Sequence, residues 1–273
     1  MYERILVPLD GSPFSEEVIP YAAGLASVHG TELALLRIVD KVSDEENAKD
    51  YIASMAATHG ASGLCLPNTG DAAQAILKEA GSKPATLLAM TSRGHSGLME
   101  LMLGSVARRV VRGAGGPVLV YHPTGASGAP ARAQVKLRSV VVPLDGSPLP
   151  EAMAHDAARF ALWADAGLKI ISAVQPIDAS TVGEAPGHEM RMLESGYVHS
   201  QATKLTRQYG MDVDWEVLHG EPAEAITDHV AHRSDVILAM VTRRKDALEA
   251  ALLGSVTSGC LRKAGVPILM RLP

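Results

Sequence analysis

The amino-acid sequence predicts an α/β protein of two tandem domains, each a doubly wound sheet of five parallel strands. Three observations carry this. The heptapeptide Val7-Pro8-Leu9-Asp10-Gly11-Ser12-Pro13 returns letter for letter as Val142-Pro143-Leu144-Asp145-Gly146-Ser147-Pro148, too long an identity for chance. Leu103-Gly104-Ser105-Val106 returns as Leu253-Gly254-Ser255-Val256, and Pro117 and Pro267 follow their glycines Gly104 and Gly254 by thirteen positions each. Within each half, short apolar runs alternate with longer segments of helical period, as in a parallel sheet covered on both faces. The 273 residues therefore hold two copies of a unit of about 130 residues, an ordinary domain size. Residues 123–134 carry small, Gly and Pro residues without apolar periodicity, a flexible connection. Domain 1 is accordingly placed at 1–122, a linker at 123–137 and domain 2 at 138–273.

In the first copy, residues 5–9 read as a buried strand. Residues 16–28 read as a helix that presents Val18, Ile19, Ala22 and Leu25 on one face. A strand at 33–39 follows, then a helix over 49–58. The acidic run Asp44-Glu45-Glu46 marks that helix's start, where negative charge complements the dipole. A weaker strand at 63–66, a helix at 72–80 and a strand at 86–90 come next. The last helix covers 104–112, and the stop Gly115-Gly116-Pro117 introduces a fifth strand at 118–121. The second copy repeats the order, with strands at 140–144, 169–174, 213–218, 236–240 and 268–271. Asp10 to Gly104 spans 94 positions and Asp145 to Gly254 spans 109; the fifteen extra positions are expected after the second strand, at 178–200.

Composition narrows the function. A formal charge of -5 leaves no basic surplus to neutralise a phosphate backbone, so nucleic acid is not expected as a partner. Cys65 and Cys260 form no CxxC pair, which fits a reducing compartment; both read as small core side chains. Met1, Glu3 and Arg4 lead straight into an apolar run with no signal-like segment, and no apolar run approaches the roughly 20 residues of a membrane helix. A cytoplasmic protein with no membrane partner is expected.

Right-handed crossovers restrict the topology, and ligands in such sheets sit beyond the carboxyl ends of the strands where the winding reverses. The loops after the first and fourth strands are the candidates. After the fourth strand stand Thr91-Ser92-Arg93-Gly94-His95-Ser96-Gly97, then Gly104-Ser105-Val106. Glycines admit close approach of the backbone to a polyphosphate, amides at a helix N-terminus supply donors and positive potential, and a serine hydroxyl adds a donor. Arg93 and His95 flank Gly94 and add charge.

This pattern resembles the ATP-binding universal stress proteins: Gly, two residues, Gly, nine residues, then Gly followed by Ser or Thr. Gly94 and Gly104-Ser105 match it, with Thr91 where the first glycine would stand and a side chain there in place of glycine's freedom at positive φ. The resemblance covers nearly the whole chain twice over and implies a fold like the adenine nucleotide alpha hydrolases, Rossmann-like in winding. It implies ATP, with Mg alongside, as the ligand. Asp10 would accept from the adenine, Ile38 and Met90 would border base and ribose, and Gly94, Gly104, Ser105 and Val106 would line ribose and phosphates. It further implies pairing through the fifth strands, an intramolecular pseudo-dimer, with a homodimer as a further assembly.

In the second copy Val241, Thr242, Arg243, Arg244 and Lys245 fall over Thr91 to His95, so Arg244 replaces Gly94. Either the site is closed or weakened, or the three cations hold phosphates by charge; closure is the favoured alternative. Asp145, Val174, Met240, Gly254, Ser255 and Val256 remain as candidate contacts.

Plainer roles stand beside these. Asp-Gly-Ser-Pro is good turn chemistry and caps a following helix. His229 and His232 lack a third ligand of fitting spacing and read as solvated helix surface rather than a metal site. Met99, Met102 and Leu103 read as helix packing. No Ser, His and Asp set, cysteine nucleophile, paired carboxylates or Walker A lysine can be assigned, so at most slow ATP hydrolysis is expected. The expected function is ATP-dependent regulation of a stress response, the alternatives being a nucleotide-independent scaffold or an adenylating enzyme of related fold.

Overall fold

The strand that opens each copy is buried on both faces: Ile5, Leu6 and Val7, like Val140, Val141 and Val142, are fully inaccessible. Only a sheet covered by helices on both sides achieves this. The computed structural model describes residues 1–40, 42–68, 70–93, 103–123, 134–175, 186–242 and 253–272, with backbone alone for 42 and 186–193. In chain order the first copy runs β1 (Arg4–Leu9), α1 (Pro13–Glu16), α2 (Ile19–His29), β2 (Glu32–Val39), α3 (Glu45–His59), β3 (Ser62–Pro67), α4 (Ala72–Ser82), β4 (Thr86–Thr91), α5 (Ser105–Gly113) and β5 (Val118–Tyr121). The second runs β6 (Ser139–Pro143), α6 (Pro148–Trp163), β7 (Gly167–Val174), α7 (Pro186–Tyr209), β8 (Val213–His219), α8 (Pro222–Val230), β9 (Val236–Val241), α9 (Ser255–Lys263) and β10 (Ile268–Arg271).

Two compact units result, Met1–Leu137 with Pro267–Leu272, and Arg138–Val266. In the first, the strand order is β3-β2-β1-β4-β5, all parallel. The chain's last strand joins this unit: β10 runs antiparallel to β5, with Ile268 opposite Val120 and Met270 opposite Val118. The second unit orders its parallel strands β9-β6-β7-β8. Winding therefore reverses between β1 and β4, and again between β6 and β9.

The helix expected over 16–28 is two helices, α1 and α2. Pro20 has no N–H to donate to Glu16 and its ring would clash with that carbonyl, so the first turn ends and a new helix starts at Ile19. The second copy has His155 at the matching position, and α6 runs unbroken for 16 residues. Part of the second copy's extra length lies in α7, which has 24 residues against 15 in α3. Cys260 is buried, and burial pushes its thiol up to about 12. Cys65 is only half-buried, because β3 lies at the sheet's edge rather than in the core. Arg4 is the exception in β1: fully buried, it is held by Glu79 Oε1 at 2.8 Å, the Glu79 carbonyl at 2.6 Å and Thr86 Oγ1 at 3.1 Å.

Of the linker, 124–133 lies outside the described residues. Beyond it, the Val135 N–H donates to the Pro20 carbonyl at 3.0 Å. Among the described residues no helix is long and apolar enough to cross a membrane.

Candidate functional site

The Asp-Gly-Ser-Pro repeat forms the same Asp–Ser turn in both units, although Ser147, unlike Ser12, makes no side-chain cap bond to the helix it precedes. Asp10 Oδ1 accepts from Ser12 N at 2.9 Å and Ser12 Oγ at 2.6 Å; Asp145 Oδ1 accepts from Ser147 N at 3.0 Å and Ser147 Oγ at 2.6 Å. The intervening Gly11 and Gly146 sit at φ +83 and +78, the left-handed region glycine enters without strain. Ser12 also caps α1 by accepting from Ser15 N at 3.3 Å. Behind each turn lies a second duplicated contact: Tyr51 donates to Glu16 at 2.8 Å and Tyr197 to Glu151 at 2.9 Å. Burial first, and then the carboxylate partner, push both phenols up, so they stay protonated donors. The repeat is invisible in sequence because the tyrosines come from α3 and α7, where the copies differ in length.

In the first unit a cleft of about 310 Å³ opens at the winding reversal. Asp10, just past β1, and Ile38 of β2 line it, with Met90 and Thr91 at the end of β4 and Arg93 in the loop beyond. Gly104, Ser105 and Val106 line it from the start of α5. Eight of the sequence-predicted residues thus share one cleft; Gly94 and His95 lie outside the described residues. Side chains of Ser12, Asp71 and Glu221 cap α1, α4 and α8, whereas α5, like α2, α3 and α6, has no side-chain cap on its first amides among the described residues, and it enters the cleft with Gly104 at its N-cap. Those donors and the dipole's positive end face the cavity, the arrangement that binds anions. Gly104 N donates to the Ser92 carbonyl at 2.7 Å, which pins the helix start to the β4 loop.

Thr91, in place of the expected glycine, uses its hydroxyl to close the turn, donating to the Arg93 carbonyl at 2.9 Å. Arg93 donates from Nη2 to the Pro123 carbonyl at 3.1 Å and lies 5.7 Å over the Phe14 ring. Its Nε is buried without a partner among the described residues. Sequence reading missed Arg37, Asp40, Ala72 and Ile76, which also line the cleft. A third repeated block pointed to the last two: Gly70-Asp71-Ala72-Ala73-Gln74-Ala75-Ile76 corresponds to Gly220-Glu221-Pro222-Ala223-Glu224-Ala225-Ile226. Arg37 was signalled only by being a cation inside an apolar strand.

The second unit has a cleft of about 300 Å³ at the matching place, lined among others by Asp145, Met240, Gly254, Ser255 and Val256. Val174 does not line it; Ala173 does. The registers explain the offset: Pro8 pairs with Leu36 and Pro143 with Ile171, so Ile38 corresponds to Ala173, one residue earlier than the sequence suggested. α9 again starts with an uncapped glycine, Gly254. Asp145 is the one charged residue among the described lining, against Asp10, Arg37, Asp40 and Arg93 in the first cleft. Arg243, Arg244 and Lys245 lie outside the described residues.

His229 is not solvated helix surface. α8 packs on β7 and β8, leaving the side chain 13% exposed, with Nδ1 3.8 Å from Glu216. Among the described residues no group of three or more His, Cys, Asp or Glu could hold a metal.

Comparison with known proteins places these features in a family. The universal stress protein family profile (Usp) matches residues 1–63, 68–122 and 136–270. The universal stress protein YxiE of Bacillus subtilis is 30% identical over 152 residues, covering 45% of this chain and 100% of that protein. The universal stress protein MJ0531 of Methanocaldococcus jannaschii is 30% identical over 139 residues, covering 44% and 82%. Among solved structures, a universal stress protein from Archaeoglobus fulgidus superposes on 100% of this chain and 99% of its own, with TM-score 0.62 at 21% identity. With Usp segments in both copies, the chain belongs to the universal stress protein family.

Proposed function

We propose that the cleft of the first unit binds ATP and that its occupancy changes the conformation or partner choice of a cytoplasmic stress-response regulator. The observation that carries this is the uncapped N-terminus of α5 at Gly104, opening into a cleft at the winding reversal across from Asp10 and Ile38. The cleft's volume of about 310 Å³ is in the range of small-molecule sites. Mg would accompany the phosphates with water completing its shell, since no group of acidic side chains among the described residues forms a cage for it. Free cysteines support a reducing compartment.

Calorimetric titration with ATP tests the proposal, using the wild type and Gly104→Ala. A Cβ at Gly104 would meet nothing closer than the Ser92 carbonyl oxygen at 3.4 Å, so the variant keeps its fold while the backbone loses close approach to a phosphate. Wild type should bind in the micromolar to submillimolar range, and the variant about tenfold more weakly. No heat of binding at millimolar ATP would refute the reading. A nucleotide-independent scaffold is the second reading, favoured by Thr91 closing the turn and Arg93 being held by Pro123. Nucleotide released on heating the purified protein would eliminate it.

A further inference from the structure

The two ends of the first cleft carry different chemistry. Phosphates belong at the start of α5, beside β4, so a base must lie toward β2, on the far side of β1. Arg37 and Asp40 stand at that end. Arg37 is half-buried, and its Nη1 donates to the Leu9 carbonyl at 3.4 Å, a long bond. Nη2 lies 3.8 Å from where a Cβ on Gly11 would be, so the fork rests against the Asp10 turn. A guanidinium has five N–H donors, and Leu9 O is the acceptor Arg37 has among the described residues. Asp40 accepts from Asn68 Nδ2 at 2.5 Å through Oδ1, which orients the carboxylate.

A donor fork beside carboxylates is the complement of a 6-oxopurine. O6 and N7 of such a base form an acceptor pair that takes arginine bidentately, and its N1–H donates to a carboxylate. Adenine sets an amino donor beside N7 and offers the fork no such pair. Resting on the nucleotide reading above, we infer that Arg37 is the base-selecting residue of this cleft and admits 6-oxopurine nucleotides at least as tightly as ATP. The second cleft has no counterpart: by the strand registers Ser172 stands where Arg37 does, with its hydroxyl 3.2 Å from Glu194.

The test is calorimetric titration of the full chain, as wild type, Arg37→Leu and Arg37→Lys, with the Mg complexes of ATP, GTP and ITP. For wild type the dissociation constants for GTP and ITP equal or fall below that for ATP. Both variants lose about tenfold or more for GTP and ITP and less than about threefold for ATP, and retained ATP binding certifies the fold. Arg37→Lys keeps the charge and loses the fork, so it decides the matter if Arg37→Leu does not fold. ATP binding with GTP and ITP tenfold weaker overturns the inference and leaves the nucleotide reading standing. An equal loss for all three nucleotides also overturns it, reducing Arg37 to a general cation. Binding of none of the three overturns both readings together.

Discussion

Burial holds the His229 imidazole below the ordinary histidine range, and the nearby Glu216 carboxylate only partly opposes it. Glu216 is shared with Lys169, 2.7 Å away, while His229 Nε2 is buried without a partner among the described residues. Burial therefore disfavours the charged ring in the folded protein, whereas in the unfolded chain it takes up a proton near pH 6.5, roughly the free value. A histidine depressed in this way contributes stability that is full above about pH 6.5 and is lost as pH falls through the folded value. His59 is lowered by burial as well and adds to the same trend. The urea midpoint should fall between pH 7.5 and pH 5.5, and His229→Gln should flatten that fall. An equally steep profile in the variant would remove His229 from the account. Its sequence surroundings suggested a surface helix; only the packing of α8 on the sheet reveals the burial.

At the scale of elements, α2 and the segment after the linker depend on one close approach. A Cβ on Gly24 would stand 1.9 Å from the Val135 carbonyl oxygen and 2.7 Å from its carbon, backbone atoms that cannot rotate away. Alanine is the better helix former by about 1 kcal/mol, yet here it must displace the 134–137 strap or the helix. Gly24→Ala should destabilise the protein by about 2 kcal/mol, measured by urea unfolding, the clash outweighing the propensity. A variant as stable as wild type would mean the strap does not lie on α2. Most elements were legible from period and punctuation: β5 and β10 have the predicted bounds, and α5 starts one residue after its predicted first residue. The break at Pro20 was also legible in principle, since it follows from a missing donor and a ring clash.

For the molecule as a whole, the destination of the last strand matters most. β10 belongs by sequence to the second copy but runs antiparallel to β5 in the first unit. Ile268, Leu269 and Met270 are fully buried there, so removing residues 267–273 would expose both apolar surface and an unpaired edge of β5. Truncation after Val266 should lower the thermal midpoint and produce aggregates in light scattering, whereas an unchanged midpoint would contradict the β5–β10 pairing. Duplication, the order of strands and helices along each copy and the glycine-bearing helix start could all be read from the chain, because each depends on local pattern or on exact repetition; the order of the strands across the sheet came from the structure. The Tyr–Glu contacts, the place of Ala173 rather than Val174, the buried face of His229 and the presence of Arg37 in the cleft could not. These depend on which residues distant in sequence the strand registers and helix packing bring side by side, and no local period encodes that.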